Sequence, residues 1–415
     1  METPKLYFRN STDAVPQVRT ATQSRLHYLD NIRCLAMLAG VFLHVGLAYG
    51  ANIGPVWYVQ DVTNSATLEV GFWFIHLFRM ALFFFVAGFF AKLVINSKGL
   101  KYFVKSRFTK VIVPFILFMP LIVLAINSVV FFGLNFLDGE QKTLHLVAEA
   151  LPFTNTEFER FRTYHLWFIY YLAMFYAATL FLHDTNSAFL SNVIRRCFCS
   201  KYSPLIVFAI IIPSHYYQSL PMPTPESLIP QLWVFGYYGV FFMYGWFFFN
   251  NQSALDVVGT YSKPLVALVL ISYAVIYNHV PSFSAPTPTV YAPELKFLLA
   301  TLQSFCSVSL VLLSVYGARR FLSKQNSVFF YLSKSSYTIY LVHLPIAILV
   351  QVLLAELAIN VWIKYAFALG LTLAASVVCY EFIKRKDVAL AMVSRLVPAL
   401  ALSSRSRNKE VTPLG

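Results

Sequence analysis

The sequence predicts an all-α integral membrane protein: a bundle of about ten transmembrane helices with both termini cytoplasmic. Three observations lead there. Of the 415 residues, 58% are hydrophobic and only 12% are charged. That is about half the charged share of a soluble domain, too little polar surface to cover a water-exposed globule. The apolar residues gather into ten runs, most of them near the roughly 20 residues that cross a bilayer. The basic residues then alternate from one connection to the next. With the N-terminus placed inside, 26 of the 32 lysines and arginines fall in cytoplasmic segments, five fall outside, and Arg79 lies within a span.

Taken in order, residues 1–28 form a polar cytoplasmic segment without the apolar core and small-residue cleavage site of a signal peptide. The first span, 32–50, is therefore expected to act as an uncleaved anchor. The second span covers 70–91, and the connection after it packs six cations into residues 92–110. The third span, 111–133, precedes the longest external loop, 134–162, which holds Asp138, Glu140, Glu149, Glu157 and Glu159. The fourth is 163–182. The fifth, 203–212, is the shortest and is expected to stop at Pro213. Spans 229–249, 264–280 and 297–316 follow. The ninth, 335–355, contains Pro345, which predicts a kink. The tenth, 361–380, comes a few residues later, so these two should form a tight antiparallel hairpin. Residues 29–385 thus make one membrane domain. The basic tail, 386–415, is expected to lay an interfacial helix on the cytoplasmic surface over 388–402, because crossing would export its charges.

The net charge of +14 sits in short clusters between apolar runs. That is the pattern of orientation signals in contact with membrane lipid, and it argues against a nucleic-acid partner. The five cysteines form no CxxC pair and no metal-ligand spacing, so they read as reduced structural thiols, and no metal site is predicted. No internal repeat supports an inverted-repeat transporter.

Ionisable groups within spans are costly and are candidates for function. Arg33 and His44 are eleven residues apart, which returns a helix to within about 20° of its start and about 16 Å further along. One face of the first helix therefore carries a cation at the cytoplasmic mouth and a histidine deep in the bilayer. A topology signal and a packing histidine are the plainer readings of each alone. In the second span, Glu69, Trp73 and His76 follow one stripe, with Arg79 adjoining it more than a turn from either end. An ion pair of Arg79 with a distant carboxylate is the structural alternative to function. Arg107 and Lys110 belong to a cation cluster suited to phosphates as well as to topology. His165 and Trp167 open the fourth span, where an aromatic belt is the plainer reading of the tryptophan. Ser336, Tyr340 and His343 share a face of the ninth span. Apart from Glu69 near an end, no carboxylate lies deep in a span. A histidine base with cations for phosphate or oxyanion suits group transfer better than a proton-coupled transporter.

These segments resemble the membrane-bound acyltransferase 3 family. "LDNIRCLAMLAGVFLH" carries the family's Asp-x-x-Arg and its Arg-x10-His pair as Asp30, Arg33 and His44. "HLFRMALFFFVAGFFA", "SRFTKVIVP", "HLWFIYYL" and "SYTIYLVHLP" resemble later family segments in the same order. The likeness spans roughly residues 25–385 and is closest to the glucan-modifying, succinyltransferase branch. At the basic segment the family often has two arginines. Lys110 replaces the second, which removes a bidentate guanidinium there.

The resemblance implies an inner-membrane O-acyltransferase that moves an acyl group, succinyl or acetyl, from cytoplasmic acyl-CoA to a carbohydrate hydroxyl, with a periplasmic glucan as the expected acceptor. His44 would be the general base. Arg33, Arg107 and Lys110 would hold the donor phosphates, and the acceptor would approach near His165. Arg79 and Ser336 are alternatives for the oxyanion. Direct transfer and an acyl-histidine intermediate both remain open, as does the oligomeric state. The rival class is an exporter of a glycan or lipid without acyl-transfer chemistry; a non-catalytic membrane scaffold is a third.

Overall fold

The computed structural model describes residues 16–137, 162–184, 195–283, 289–324 and 326–407, and side chains for these except 16–26, 55, 181–184 and 386–407. The acids expected in the external loop at 138–161 lie outside the described residues. Among the described residues there is no strand; one isolated bridge joins Arg162 to Ser227. The helices are α1 (Pro16–Leu47), α2 (Ala66–His76), α3 (Arg79–Lys98), α4 (Leu100–Arg107), α5 (Val113–Phe136), α6 (Trp167–Asp184), α7 (Ser203–Tyr217), α8 (Leu232–Phe248), α9 (Ser253–Thr260), α10 (Ser262–Tyr277), α11 (Pro293–Phe321), α12 (Ser327–Leu354) and α13 (Val361–Arg407).

Among the described residues, six helical stretches are long and apolar enough to cross a membrane, or seven if the bent pair α8–α9 counts as one span, against the ten expected. The six are His27–Leu47, Ala66–Lys98, Leu100–Phe136, Pro293–Phe321, Ser327–Leu354 and Val361–Arg385. The protein is therefore a multi-pass, helical membrane protein. The remaining segments are shorter or bent: α8 and α9 meet at 103°, and α7 and α10 have 15 and 16 residues. Large apolar side chains face outward on α5 (Ile116, Leu117, Leu121, Leu124) and α13 (Ile363, Phe367, Val378). A coat of this kind suits hydrocarbon, not water.

Several boundaries differ from the sequence expectation. α1 begins at Pro16, well before residue 32. The basic connection after the second span is not a loop. Gly99, at φ +81°, interrupts the chain for one residue, and α4 then runs through a π-turn at Phe108–Ile112 into α5. Lysine and arginine are good helix formers, so nothing but the glycine breaks this stretch. α7 continues through Pro213 to Tyr217, an interruption that membrane helices tolerate when neighbours satisfy the freed backbone. α12 likewise continues through Pro345, and α13 stays helical to Arg407.

The tightest crossing pairs α3 with α8. A Cβ on Gly88 would lie 1.9 Å from the Phe242 carbonyl oxygen, and one on Gly245 would lie 1.7 Å from that of Phe85. The two backbones touch because both positions lack a side chain. Around them Phe85 packs on Phe248 at 5.0 Å and on Tyr244 at 5.3 Å between ring centres. α12 lies against both α1 and α13, so the expected hairpin of the last two spans forms. Lys364, one of the five cations counted outside, is fully buried. Its Nζ sits 2.6 Å from Asp61 Oδ1, with both side chains 1% exposed, and also donates to the Leu357 carbonyl at 2.7 Å. The pair ties the α1–α2 connection to the α12–α13 turn.

Candidate active site

α1, α3, α6 and α12 surround a cavity of about 470 Å³ that contains His44, Arg79, His165, Trp167, Tyr340 and His343. His44 is in the last turn of α1. Helix ends leave their final carbonyls without intrahelical partners, and Gln351 of α12 supplies them here. Its Nε2 donates to the carbonyls of His44 (2.9 Å) and Val45 (3.0 Å), while its Oε1 accepts from Trp57 Nε1 at 2.9 Å. Trp57 stacks on the His44 ring at 5.6 Å, and His343 stacks beside it at 5.1 Å and 4°. His44 Nδ1 faces His343 Nε2 at 2.9 Å. Tetrahedral zinc with bonds of about 2.0–2.1 Å holds its ligand nitrogens about 3.3 Å apart, so this spacing suits a shared proton, not a metal. Among the described residues no metal-holding group of three is present.

Pro345 shapes the far wall. It has no N–H for the Leu341 carbonyl four residues back, and His165 Nε2 takes that carbonyl at 3.2 Å. His165 sits in a 3-10 turn, Tyr164–Leu166, directly after Tyr164 at φ +47°. An aromatic residue in the left-handed region costs on the order of 1–3 kcal/mol. The turn is held by Thr163, whose N (2.7 Å) and Oγ1 (2.8 Å) both donate to the Glu226 carbonyl. His165 and Trp167 are buried, which argues against the aromatic-belt reading of the tryptophan.

Arg79 is the first residue of α3, where the chain breaks after Leu77–Phe78. The expected stripe along one continuous helix is therefore interrupted: Glu69, Trp73 and His76 stay on α2, and Arg79 turns into the cavity. Its side chain is buried, its Nε has no hydrogen-bond partner, and among the described residues no carboxylate pairs with it. A buried guanidinium beside a helix N-terminus makes a strongly electropositive spot. Gly40 of α1 makes room for it, since a Cβ there would lie 2.4 Å from Arg79 Nη1. Gly40→Ala is expected to displace the guanidinium and lower kcat by about tenfold or more with little change in protein level. An unchanged kcat in purified protein would show that Arg79's placement is immaterial.

Above the histidines the cavity is rimmed by Trp57, Tyr58, Arg162, Thr224, Glu226 and Gln231. Burial pushes the Glu226 carboxyl above the usual carboxylate range, while Arg162 and a 3.1 Å hydrogen bond from Thr224 pull it back. Flat aromatics beside a carboxylate, a guanidinium and an amide form a surface suited to a polyhydroxylated molecule.

Other expected residues fall elsewhere. His76 holds the Met222 carbonyl at 2.8 Å and does not line the cavity. Ser336 is buried, donates to the Ser333 carbonyl at 3.2 Å and does not line the cavity. Asp30, about 21 Å from His44 by helical rise, pairs with Arg33 at 3.4 Å and takes no part in chemistry at His44. Arg33 also reaches Ser333 Oγ at 3.5 Å and lies over Phe90 at 5.6 Å. Arg107 rests on Phe103 and Tyr176 at 5.3 and 5.0 Å, and both arginines act electrostatically on the Tyr176 hydroxyl. Lys110, in the π-turn, is exposed. The cations near Tyr176 are thus Arg33 and Arg107. Buried Arg107 Nε and Tyr337 Oη in this region lack partners. The sequence reading missed Gln351, Trp57, Glu226, Tyr176 and Tyr337. Gln351 alone carried a signal, as an amide inside an apolar run.

The acyltransferase domain model matches residues 26–381. The chain is 23% identical to glucans biosynthesis protein C of Escherichia coli (strain K12) over 385 residues, covering 86% of this chain and 91% of that one. It is equally similar to the protein of that name from Shigella dysenteriae serotype 1 (strain Sd197), over 379 residues with the same coverage. No solved structure matches. With the family pattern carried across nearly the whole bundle and a histidine–arginine cavity at its centre, the chain belongs to the acyltransferase 3 family and is an O-acyltransferase.

Proposed function

We propose that the protein transfers a succinyl or acetyl group from cytoplasmic acyl-CoA to a hydroxyl of a periplasmic glucan, crossing the inner membrane ten times with both termini cytoplasmic. The observation that carries this reading is the pairing of His44 with Arg79 across one cavity. His44 Nε2, the ring nitrogen not engaged with His343, takes the proton as the acceptor oxygen attacks the thioester carbonyl. Arg79 stabilises the oxyanion of the tetrahedral intermediate. Collapse expels the CoA thiolate, which recovers the proton from His44. Arg33, about 16 Å below by helical rise, holds the donor phosphates together with Arg107. The loop residues Trp57, Tyr58, Glu226 and Gln231 receive the sugar. The glucan follows from the names of the two relatives; the aromatic and polar rim supports a carbohydrate in general.

Mass spectrometry of periplasmic glycans from cells with and without the gene tests this directly. A mass difference of one acyl group per modified sugar is expected, and it would identify both group and acceptor. Identical glycans would remove the periplasmic-glucan reading. In proteoliposomes, release of free CoA should require added glucan, and Arg33→Ala should weaken acyl-CoA binding by about tenfold, the worth of one charged phosphate contact.

A further inference from the structure

His343 has neighbours that decide its protonation pattern. Its Nδ1 lies 2.8 Å from the Tyr340 carbonyl and 3.2 Å from that of Ile339. Carbonyl oxygens only accept, so Nδ1 carries a hydrogen. In the neutral ring Nε2 is then a bare lone pair, and it faces His44 Nδ1 at 2.9 Å. Two lone pairs at that distance repel, so His44 Nδ1 must donate. A neutral imidazole has one N–H, and His44 has spent it. Its Nε2 is left bare at the cavity. The first link is set by the backbone of α12, and each later link follows from the one before.

We propose that His343 is a positioning residue that locks His44 in the Nδ1–H form, so that Nε2 is the base for the acceptor hydroxyl. The inference rests on the acyl-transfer reading for its catalytic consequence, but the tautomer itself does not. The lock also persists through the reaction. When His44 gains the acceptor proton at Nε2, its Nδ1–H keeps donating to His343 Nε2, which supports the imidazolium and holds the ring plane. The proton then leaves with the thiolate by the same nitrogen, so His343 gains and loses nothing. Trp57 on the other side of the ring and Gln351 on the His44 carbonyl fix where that ring stands. His343 fixes which nitrogen is basic.

The test uses the full-length protein in detergent or nanodiscs, with ¹⁵N-histidine labelling and His44 assigned by difference from His44→Gln. The wild type should show His44 protonated at Nδ1. His343→Leu, close in volume but without an acceptor, should shift His44 to a mixture of tautomers. It should lower kcat by about 10²–10³-fold, with KM for the acyl donor within a few-fold of wild type. His343→Gln presents an amide oxygen near the position of Nε2, and should restore the Nδ1–H signal and at least tenfold of the lost kcat. A wild-type His44 protonated at Nε2 would overturn the lock, and so would a His343→Leu protein with unchanged spectrum and kcat. An Nδ1–H signal in a protein inactive toward every acyl-CoA would instead overturn the acyl-transfer reading and leave the lock standing.

Discussion

His44→Ala is expected to lower acyl transfer by about 10³-fold at matched membrane levels. Positioned general bases contribute about 10²–10⁴-fold. The middle of that range is expected because the nearest bare nitrogen left behind, His343 Nε2, lies beyond the Nδ1 side of the lost ring and not where His44 Nε2 met the hydroxyl. The substitution removes one ring from between Trp57 and His343 and leaves the Gln351 clamp on the backbone intact, so the bundle should fold. Donor affinity should change by less than about threefold, because Arg33 lies at the other end of the α1 face and Arg107 on α4. Assays of CoA release in purified protein check both numbers. Retention of more than a tenth of the wild-type rate would remove His44 from the chemistry.

Asp61→Ala is expected to destabilise the protein by about 3–5 kcal/mol. Removing one partner of a buried ion pair strands the other charge, and the loss is far larger than for an exposed pair. Lys364 Nζ would keep two carbonyls, of Leu357 and Ala355, but no counter-charge. Asp61 Oδ1 also accepts from Thr63 N at 2.8 Å and Thr63 Oγ1 at 2.9 Å, so the α1–α2 connection should loosen as well. The double variant Asp61→Leu with Lys364→Met, which leaves no unpaired charge, should recover at least half of the loss. Thermal unfolding in detergent reads all three. An Asp61→Ala loss below about 1 kcal/mol would mean that water reaches the pair.

The shared face of Arg33 and His44 on α1 was legible because helical register is local: eleven residues place them on one side whatever the rest of the chain does. His343 and Tyr340 were legible for the same reason on α12. The break before Arg79 was not. No glycine or proline marks Leu77–Phe78, and what sustains it is remote. The Leu77 carbonyl accepts from Tyr237 Oη at 3.3 Å and Ser307 Oγ at 2.9 Å, groups 160 and 230 residues away. The burial of Lys364 was not legible for a similar reason, since its partner Asp61 is 303 residues away in the chain. Glu226 and the other rim residues lie on connections whose positions depend on contacts between distant segments, such as Thr163 with the Glu226 backbone. Periodicity cannot see contacts of that range.

Pro345 has a consequence beyond the shape of α12. A proline in a helix leaves one carbonyl unclaimed, and here that carbonyl has an imidazole for company. A vacancy in the backbone thereby tells a side chain on another helix which of its two nitrogens to protonate, leaving His165 Nδ1 bare. The wall facing His44 is written in the grammar of main-chain carbonyls: Leu341 dictates to His165 as Tyr340 and Ile339 dictate to His343. The instructions come from peptide groups that no side-chain replacement erases, except at the one residue that has no N–H to give.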